Sequence, residues 1–204
     1  VVNNINTRKA DVSFGEREIL LHGKPIINER LKDLSFQISA NSFFQTNSLM
    51  AEKLFDVILE SAELKGDEIV YDLYCGTGSI SLFLAKRAKF VYGFDIIVSS
   101  IENAEQNAMV NNIQNIDFNV ANLDSFFYTN RSNKYPNADV VIVDPPRAGM
   151  HKKMTQYLPK LRAKKIIYVS CNPSTQARDA QILKSYNYEL EKLSVVDMFP
   201  HTPH

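Results

Sequence analysis

Short apolar runs alternate with amphipathic stretches along the chain from residue 67 onward. Nearly continuous apolar runs are typical of strands that a sheet buries on both faces. They predict strands at 68–73, 90–95, 116–120, 138–143, 165–170 and 188–198. The amphipathic stretches predict helices at 78–88, 98–112, 150–161 and 174–185. Because strands and helices alternate with short links, we expect an α/β fold with a mostly parallel, doubly wound sheet.

Residues 1–47 lack this helical periodicity and alternate instead between apolar and polar positions. The alternation predicts antiparallel strands, with candidates at 12–14, 18–21 and 34–38. Asn47 and Ser48 then cap a helix that runs to about Leu64. Its expected apolar side consists of Leu49, Leu54, Phe55, Ile58 and Leu59. We therefore divide the chain into a β segment of a central or linker subdomain, 1–47, and a larger domain, 48–204.

The charge balance excludes a general attraction to nucleic acid or membranes, since 204 residues carry 23 basic and 23 acidic side chains. An RNA contact would need a local basic patch, with the candidates Lys152, Lys153, Lys160, Arg162, Lys164 and Lys165. The two cysteines and four histidines show no metal-ligand spacing. No apolar run reaches the roughly 18 residues of a membrane span. Two distant cysteines without a signal peptide predict a cytoplasmic protein, with no metal and no membrane partner.

A glycine-rich turn, Asp-Leu-Tyr-Cys-Gly-Thr-Gly at 72–78, follows the first strand of the α/β pattern. Gly76 and Gly78 allow the backbone to turn tightly against a ligand. Asp95, which ends the next strand, can accept hydrogen bonds from both hydroxyls of a ribose. The turn lacks the third glycine of dinucleotide-binding proteins, so it fits S-adenosyl-L-methionine better than NAD. Asn122 follows the third strand, where its amide could contact an adenine ring; an ordinary loop asparagine is an equal alternative.

Asp-Pro-Pro-Arg at 144–147 ends the fourth strand. Its two prolines fix the backbone and donate no hydrogen bonds, which presents the Asp144 side chain toward the expected cleft. Methyltransferases that act on base nitrogens use a related Asp-Pro-Pro-aromatic turn, in which the ring stacks on the base. Arg147 stands at that aromatic position and suits an electrostatic role or a phosphate contact. A strand-ending turn with a solvated arginine is the alternative.

Cys171 follows the fifth strand in Ser-Cys-Asn-Pro at 170–173. Open α/β sheets bind ligands at the carboxyl ends of their strands. Amides near Ser174 and Thr175, at the start of the next helix, are expected to stabilise a thiolate. These features favour a nucleophile over the buried structural cysteine that is the commoner case. Cys75, inside the glycine turn, is better explained as a small packing residue.

A thiolate beside a methyl-donor site points to methylation at C5 of a pyrimidine. C5 of uracil is a poor nucleophile toward a methyl sulfonium, but addition of a thiolate to C6 creates an enolate whose C5 can take the methyl group. A base must then remove the C5 proton so that the thiol can leave. The target base must also be turned out of its stack to reach the pocket.

Five segments, taken in order, closely resemble the RNA 5-methyluridine (uracil-C5) methyltransferases of bacterial ribosomal and transfer RNA. They are Ser-Phe-Phe-Gln-Thr-Asn at 42–47, the glycine turn at 72–78, Asp-Pro-Pro-Arg-Ala-Gly at 144–149, Val-Ser-Cys-Asn-Pro at 169–173 and Asp-Met-Phe-Pro-His at 197–201. The resemblance extends from about residue 5 to residue 204. It implies a Rossmann-like, class I S-adenosyl-L-methionine-dependent methyltransferase fold. It also implies an RNA substrate, with rRNA favoured over tRNA.

The same resemblance implies roles for individual residues. Cys171 would be the nucleophile that attacks C6. The S-adenosyl-L-methionine site would include Gln45, Tyr74, Asp95 and Asp144. Asn122 matches a cofactor-contacting asparagine of some members, whereas Ser79 stands where some members carry such an asparagine. Asp144 and Arg147 would also face the target base.

The chain departs from the family pattern in three ways. It carries neither the N-terminal TRAM domain nor the Fe–S cysteine cluster that members often have. The general base of the family is a glutamate two residues beyond the histidine that His204 matches, and the sequence stops at His204. The seventh, antiparallel strand of the fold would begin there too, which leaves the strands near 165–170 and 188–198 with unpaired edges. We therefore expect the sequence to be a fragment of a longer protein.

Two other functions stay open. A base N-methyltransferase would use the Asp-Pro-Pro turn without a covalent step, and its activity would not depend on Cys171. A non-catalytic RNA-binding module of the same fold would bind neither S-adenosyl-L-methionine nor its demethylated product.

Overall fold

The computed structural model describes residues 1–7, 15, 17–126 and 134–202. The strand candidate at 12–14 and His204 lie outside the described residues. The strands are β1 (Val2–Ile5), β2 (Arg17–Leu20), β3 (Ile26–Leu31), β4 (Leu34–Ser39), β5 (Ile69–Leu73), β6 (Phe90–Asp95), β7 (Ile116–Val120), β8 (Val140–Val143) and β9 (Lys165–Tyr168). The helices are α1 (Ser48–Ala62), α2 (Ser79–Ala85), α3 (Val98–Val110), α4 (Leu123–Phe126), α5 (Lys152–Tyr157) and α6 (Pro173–Lys184), with a 3-10 helix over Leu158–Leu161.

A parallel five-stranded sheet in the order β7-β6-β5-β8-β9 forms the centre of the protein. The predicted α/β fold with a doubly wound sheet is therefore confirmed. All four residues of β8 are buried, which explains its uninterrupted apolar sequence, Val-Val-Ile-Val. The order of the strands reverses beside β5, because β5 pairs with β6 on one side and with β8 on the other. Sheets of this kind bind ligands at the carboxyl ends of the strands where the order reverses.

The predicted antiparallel character of the N-terminal segment is also confirmed, since β1 pairs with β2 and β3 pairs with β4. Inward-facing residues of β4 are buried at every second position, as expected of a hairpin that covers a core on one face. Those residues, Leu34, Phe36 and Ile38, share a hydrophobic cluster with Phe55 of α1 and Phe83 of α2. The β3–β4 hairpin therefore closes one side of the core that lies against the central sheet.

The predicted helix after residue 47 is observed as α1, and the Asn47 side chain accepts a hydrogen bond from the Met50 amide at 3.2 Å. Leu49 does not belong to its apolar side, because 75% of this residue is exposed. The helix predicted at 150–161 divides into α5 and the following 3-10 helix. Pro159 lies within that second part and cannot donate an α-helical hydrogen bond.

The strand predicted at 188–198 is wrong, since none of these residues forms a strand. A strand needs a neighbour for its amides and carbonyls, and among the described residues the edge strand β9 pairs with β8 alone. The segment is fixed near its ends by two hydrogen bonds. The Tyr188 hydroxyl donates to the Ala163 carbonyl at 2.7 Å, and the side-chain NH₂ group of Asn47 donates to the Met198 carbonyl at 3.0 Å. Large apolar side chains between these ends are exposed, namely Leu190, Leu193 and Val195.

Truncating Phe36 tests whether the β3–β4 hairpin belongs to the main core. Its ring is fully buried, with centroids 5.4 Å from Phe44 and 6.4 Å from Phe83. We expect Phe36→Ala to lower the free energy of unfolding by about 3–5 kcal/mol, measured by urea denaturation. Phe43→Ala is the matched control, because 63% of Phe43 is exposed and its loss should change stability by less than about 0.5 kcal/mol. Equal effects of the two variants would contradict a shared core.

Candidate functional site

Two backbone segments hold Asp95 at the carboxyl edge of the sheet. The Gly76 amide donates to Asp95 Oδ2 at 2.9 Å, and the Ile97 amide donates to Asp95 Oδ1 at 2.9 Å. The Tyr74 and Cys75 amides both donate to the Phe94 carbonyl, at 2.9 and 3.0 Å, so the turn lies directly on the end of β6. A carboxylate can accept about four hydrogen bonds, so Asp95 keeps acceptor capacity for ligand hydroxyls.

The two glycines of the turn serve different purposes. Gly76 has φ +53° and its missing side chain faces open space, so this position leaves the backbone accessible to a ligand. Gly78 has φ +79° and precedes α2, where an added Cβ would lie 2.7 Å from Phe118 Cζ and 3.1 Å from Ala104 Cβ. Gly78 is therefore required for packing between the turn, β7 and α3. Tyr74 also adopts a left-handed conformation, with φ +68°.

Asp72 is a candidate site residue that the sequence analysis did not identify. It is fully buried; its Oδ2 accepts a hydrogen bond from the Ser81 hydroxyl, and its buried Oδ1 has no partner among the described residues. Burial is the main reason why the pKa of Asp72 is raised to about 7; the hydrogen bond from Ser81 opposes this effect, and the nearby charges of Asp144 and Asp95 add to it. A buried acceptor without a partner suits a cationic or hydrogen-bond-donating ligand group. The available sequence signal was an acid in an apolar strand immediately before a glycine turn.

Asp144 follows β8, the strand that pairs with β5. Its amide donates to the Leu73 carbonyl at 3.3 Å, which joins the start of the Asp-Pro-Pro-Arg turn to the end of β5. Burial raises the pKa of Asp144 to about 6. Asp144 and Asp95 lie near enough to Asp72 for their charges to raise its pKa, so the ends of β6 and β8 place acidic side chains around Asp72.

Cys171 is exposed, whereas Cys75 is buried. Burial raises the pKa of the Cys75 thiol well above its usual value, because the thiolate would lose its hydration and would lie near Asp72 and Asp95. Cys171 lies between the end of β9 and Asn172, the N-cap of α6. Of the two thiols, Cys171 is therefore the one that can meet a substrate.

The start of α6 differs from the expected arrangement. The Ser174 amide donates to Asn172 Oδ1 at 3.1 Å, so this amide is already used and cannot also stabilise a thiolate. Asn172 also donates its side-chain amide to the Arg147 carbonyl at 3.1 Å. The Arg147 side chain is exposed, while its backbone is fixed to the segment that carries Cys171. The structure thus places Arg147 and Cys171 on two segments that are joined directly.

The segment with Gln45 lies over the glycine turn, since the Thr77 hydroxyl donates to the Phe43 carbonyl at 3.5 Å. Gln45 itself is half-buried, as is Ser79, the first residue of α2. Asn122 is exposed, and its Oδ1 accepts a hydrogen bond from the Asp124 amide at 3.1 Å. The Asn122 side-chain oxygen thus serves the short helix α4.

The proposed basic patch divides into two parts. Lys164 is paired with Asp139 at 3.0 Å, and Lys165 is paired with Glu63. Lys165 begins β9 and so lies at the amino edge of the sheet, opposite the carboxyl edge that carries the candidate site. Lys152 and Lys153 are exposed in the first turn of α5. The six basic residues therefore do not form one continuous surface beside the site.

The geometry fits a nucleoside-containing methyl donor. The accessible turn at Gly76, the acceptor Asp95 at the end of β6 and the unpartnered oxygen of Asp72 lie along one edge of the sheet. Within the described ranges, no cluster of three or more His, Cys, Asp or Glu side chains could hold a metal ion. In the same part of the chain, no helix has the length and apolar composition needed to cross a membrane.

The chain is similar in sequence to known RNA methyltransferases. Residues 16–204 match the family model described as tRNA (Uracil-5-)-methyltransferase. The chain is 42% identical over 205 residues to an uncharacterized RNA methyltransferase of Chlorobaculum tepidum, and 45% identical over 207 residues to one of Listeria innocua. Both alignments cover 100% of this chain but only 42% and 45% of the relatives. The chain therefore spans less than half the length of these relatives.

A solved structure with a similar fold is the Pyrococcus abyssi tRNA (uracil-54, C5)-methyltransferase in complex with S-adenosyl-L-homocysteine. It is 40% identical, has a TM-score of 0.78, and the match covers 98% of this chain and 47% of that chain. A ribosomal protein L11 methylase from Lactobacillus delbrueckii has a TM-score of 0.59 at 19% identity, with 77% of each chain covered. That second likeness concerns the fold alone.

Replacing Gly78 with alanine should destabilise the protein through two separate effects. The positive φ of Gly78 costs an alanine about 1–2 kcal/mol, and the close contact with Phe118 adds about 1–3 kcal/mol. Gly23→Ala is the control, because Gly23 has φ +75° and open space around it, so only the first cost applies. Urea denaturation of both variants measures the difference. A Gly78→Ala protein as stable as Gly23→Ala would contradict the packing role.

The raised pKa of Asp72 predicts a pH-dependent stability. Between the unfolded value of 3.8 and the folded value of about 7, the native state holds the proton more tightly than the unfolded state. Wild-type stability should therefore fall relative to Asp72→Asn as the pH rises through this window, by up to about 1.4 kcal/mol per pH unit. Urea denaturation at several pH values measures the slope. Asp67→Asn, at an exposed carboxylate, controls for the loss of one charge, and a pH-independent difference for Asp72→Asn would disprove the assignment.

Proposed function

Because this chain belongs to the tRNA (uracil-5-)-methyltransferase family, we propose that it is the catalytic part of an RNA (uracil-C5) methyltransferase that uses Cys171 as its nucleophile. The observation that carries the proposal is the exposed thiol of Cys171 at the carboxyl edge of the sheet, joined through Asn172 to the Asp-Pro-Pro-Arg turn. We also keep the division into a β segment at 1–47 and a methyltransferase domain at 48–204 as part of the proposal.

S-adenosyl-L-methionine, when bound, supplies an electrophilic methyl group. Asp95 would hold the ribose hydroxyls, with the accessible turn at Gly76 and Gly78 beside it and Tyr74, Gln45 and Ser79 lining the site. Asp144 and Asn122 would contribute polar groups from the ends of the neighbouring strands. The buried carboxyl of Asp72, whose Oδ1 lacks a partner in the described part of the chain, supports a cationic ligand at this edge.

The role of Cys171 follows from the chemistry of the uracil ring. Its thiolate adds to C6, and the electrons of the C5–C6 double bond move onto the ring carbonyl as an enolate. C5 of that enolate then has the nucleophilicity that methyl transfer requires. A base removes the proton from C5, the double bond forms again, and the bond between C6 and the Cys171 sulfur breaks.

Asp144 and Arg147 are proposed to face the uracil ring. The guanidinium of Arg147 is exposed and permanently charged, so it can stabilise negative charge that develops on a ring oxygen or can bind a phosphate. Asp144 has a pKa of about 6 and holds a proton more readily than an exposed carboxyl, so it can donate or accept a hydrogen bond at the ring.

The proposal also concerns the class of RNA that is methylated, rRNA or tRNA. The resemblance favours rRNA over tRNA, whereas the matching family and the Pyrococcus abyssi enzyme are both named for tRNA. Both RNA classes present single-stranded loops whose bases can be turned into a pocket. Transcripts of both classes are therefore suitable substrates for a test.

The covalent step can be tested with RNA that contains 5-fluorouridine. After addition of a thiolate and transfer of the methyl group, fluorine cannot leave C5 as a proton does, so the protein and the RNA stay joined. We expect the wild-type chain to form this adduct in the presence of S-adenosyl-L-methionine, with transcripts of rRNA or of tRNA. Intact mass spectrometry measures it. Cys171→Ala should form none, a loss of at least about 10³-fold.

Cys75→Ala is the matched control, because its thiol is buried and should not take part in the adduct. Peptide mapping of the adduct should locate the RNA on Cys171. Methylation of uridine C5 by Cys171→Ala would contradict the covalent mechanism, and methylation of a base nitrogen would favour the N-methyltransferase instead. Failure to bind S-adenosyl-L-homocysteine in calorimetry would favour a non-catalytic RNA-binding module.

A further inference from the structure

An ion pair between a buried carboxylate and a half-exposed arginine joins the two segments that carry the proposed catalytic residues. Asp179 of α6 is fully buried, and its Oδ1 accepts a hydrogen bond from Arg178 Nε at 2.8 Å. Asp179 Oδ2 accepts from the Met150 amide at 2.9 Å and from the Tyr168 hydroxyl at 2.7 Å. Arg178 Nη2 donates to the carbonyls of Ala148 and Met150, both at 3.2 Å. We name this group the Asp179 network.

The Asp179 network reaches both sides of the proposed nucleophile. Tyr168 ends β9 and precedes Cys171 by three positions, while α6 begins two positions after it. Ala148 and Met150 belong to the segment that follows the Asp-Pro-Pro-Arg turn. One carboxylate therefore fixes the strand before Cys171, the helix after it and the far end of the turn that carries Asp144 and Arg147.

Gly149 shows how closely these segments approach. It has φ +80°, and an added Cβ would lie 2.6 Å from Arg178 Nη2, 2.9 Å from Asp179 Oδ2 and 3.0 Å from Thr175 Cβ. Thr175 and Asn172 complete the junction, since both donate to the Arg147 carbonyl, at 3.3 and 3.1 Å. The turn is thus held against α6 at two places, by the Arg147 carbonyl and by the Asp179 network.

Burying the Asp179 carboxylate costs more free energy than burying an apolar side chain at the same position would. Desolvation of a carboxylate has a large penalty, which is offset here because each oxygen accepts hydrogen bonds and one partner is a cation. Leu183, buried in the same helix, shows that α6 already has an apolar anchor. Polar contacts of this kind are directional, so they define relative position more narrowly than apolar contacts do.

We propose that Asp179 and Arg178 are positioning residues that set the location of the Cys171 thiol relative to Asp144 and Arg147. The inference rests on the proposed function, in which the thiol and these two side chains meet the same uracil ring. Neither Asp179 nor Arg178 is expected to touch the substrate. Removing the network should leave donor binding intact and slow the attack on C6, because a shift of about 1 Å at reacting groups can cost about 10²-fold in rate.

The test compares Asp179→Asn and Arg178→Gln with Leu183→Ala, which weakens the packing of the same helix without touching the network. Three quantities are measured on the 204-residue chain: the single-turnover rate of adduct formation with 5-fluorouridine RNA, the dissociation constant of S-adenosyl-L-homocysteine, and the midpoint of thermal unfolding. We expect both network variants to form the adduct about 10²-fold more slowly. The dissociation constant should change less than about twofold in every variant, and Leu183→Ala should form the adduct within a few-fold of the wild-type rate at a comparable loss of thermal stability.

Arg178→Lys keeps the test decisive if Asp179→Asn does not fold. Arg178 is about half exposed, so the lysine can keep a charge near Asp179 but cannot reproduce the planar set of donors. An intermediate rate for Arg178→Lys supports the positioning role. The positioning role would be overturned if Asp179→Asn or Arg178→Gln slowed adduct formation no more than Leu183→Ala does for the same loss of thermal stability. A wild-type chain that binds S-adenosyl-L-homocysteine but forms no adduct would instead disprove the proposed function, and the inference with it.

Discussion

The pairing of β5 with β8 is the constraint on which the rest of the protein depends. Both strands lie inside the sheet, so their backbone groups pair mainly with each other and with the outer neighbours β6 and β9. The parallel register brings the glycine turn and the Asp-Pro-Pro-Arg turn out at the same edge of the sheet. Since the strand order reverses at this pair, a ligand-binding crevice is expected between the two turns.

Three neighbouring strands, β6, β5 and β8, place Asp95, Asp72 and Asp144 at or near this edge of the sheet, although the interior around them is apolar. Asp95 accepts hydrogen bonds from two amides, which lowers the cost of its charge, whereas one buried oxygen of Asp72 has no such partner among the described residues. Because Asp72 has fewer hydrogen-bond donors than Asp95, the site favours a ligand group that is positively charged or that donates hydrogen bonds. Local strain accompanies this, since Tyr74 holds a positive φ beside the glycines. The site is thus formed partly at the expense of stability.

Sequence patterns predicted those parts of the protein in which neighbours along the chain decide the structure. The strands of the sheet were evident from their apolar runs, and the ends of β6, β8 and β9 located Asp95, Asp144 and Cys171. Residues 188–198 also have a pattern of apolar residues that predicts a strand, but they form none. Strand pairing depends on a neighbouring strand, and the local sequence pattern does not reveal whether one is present. Asp179 could not be predicted either: its partners Met150 and Tyr168 lie 29 and 11 positions away. The Ser174 amide was expected to stabilise a thiolate, but it donates to the side chain of Asn172, whose role as the N-cap of α6 had not been recognised.

The contrast between the two cysteines has a practical consequence for handling the protein. With one thiol exposed and the other buried, a soluble alkylating reagent or peroxide should act at a single position. Cys171 is thus a selective attachment point for a fluorophore or spin label at the mouth of the crevice. Under the proposed mechanism, air oxidation of Cys171 would also inactivate the protein, so the amount of accessible thiol in a sample would report its active fraction.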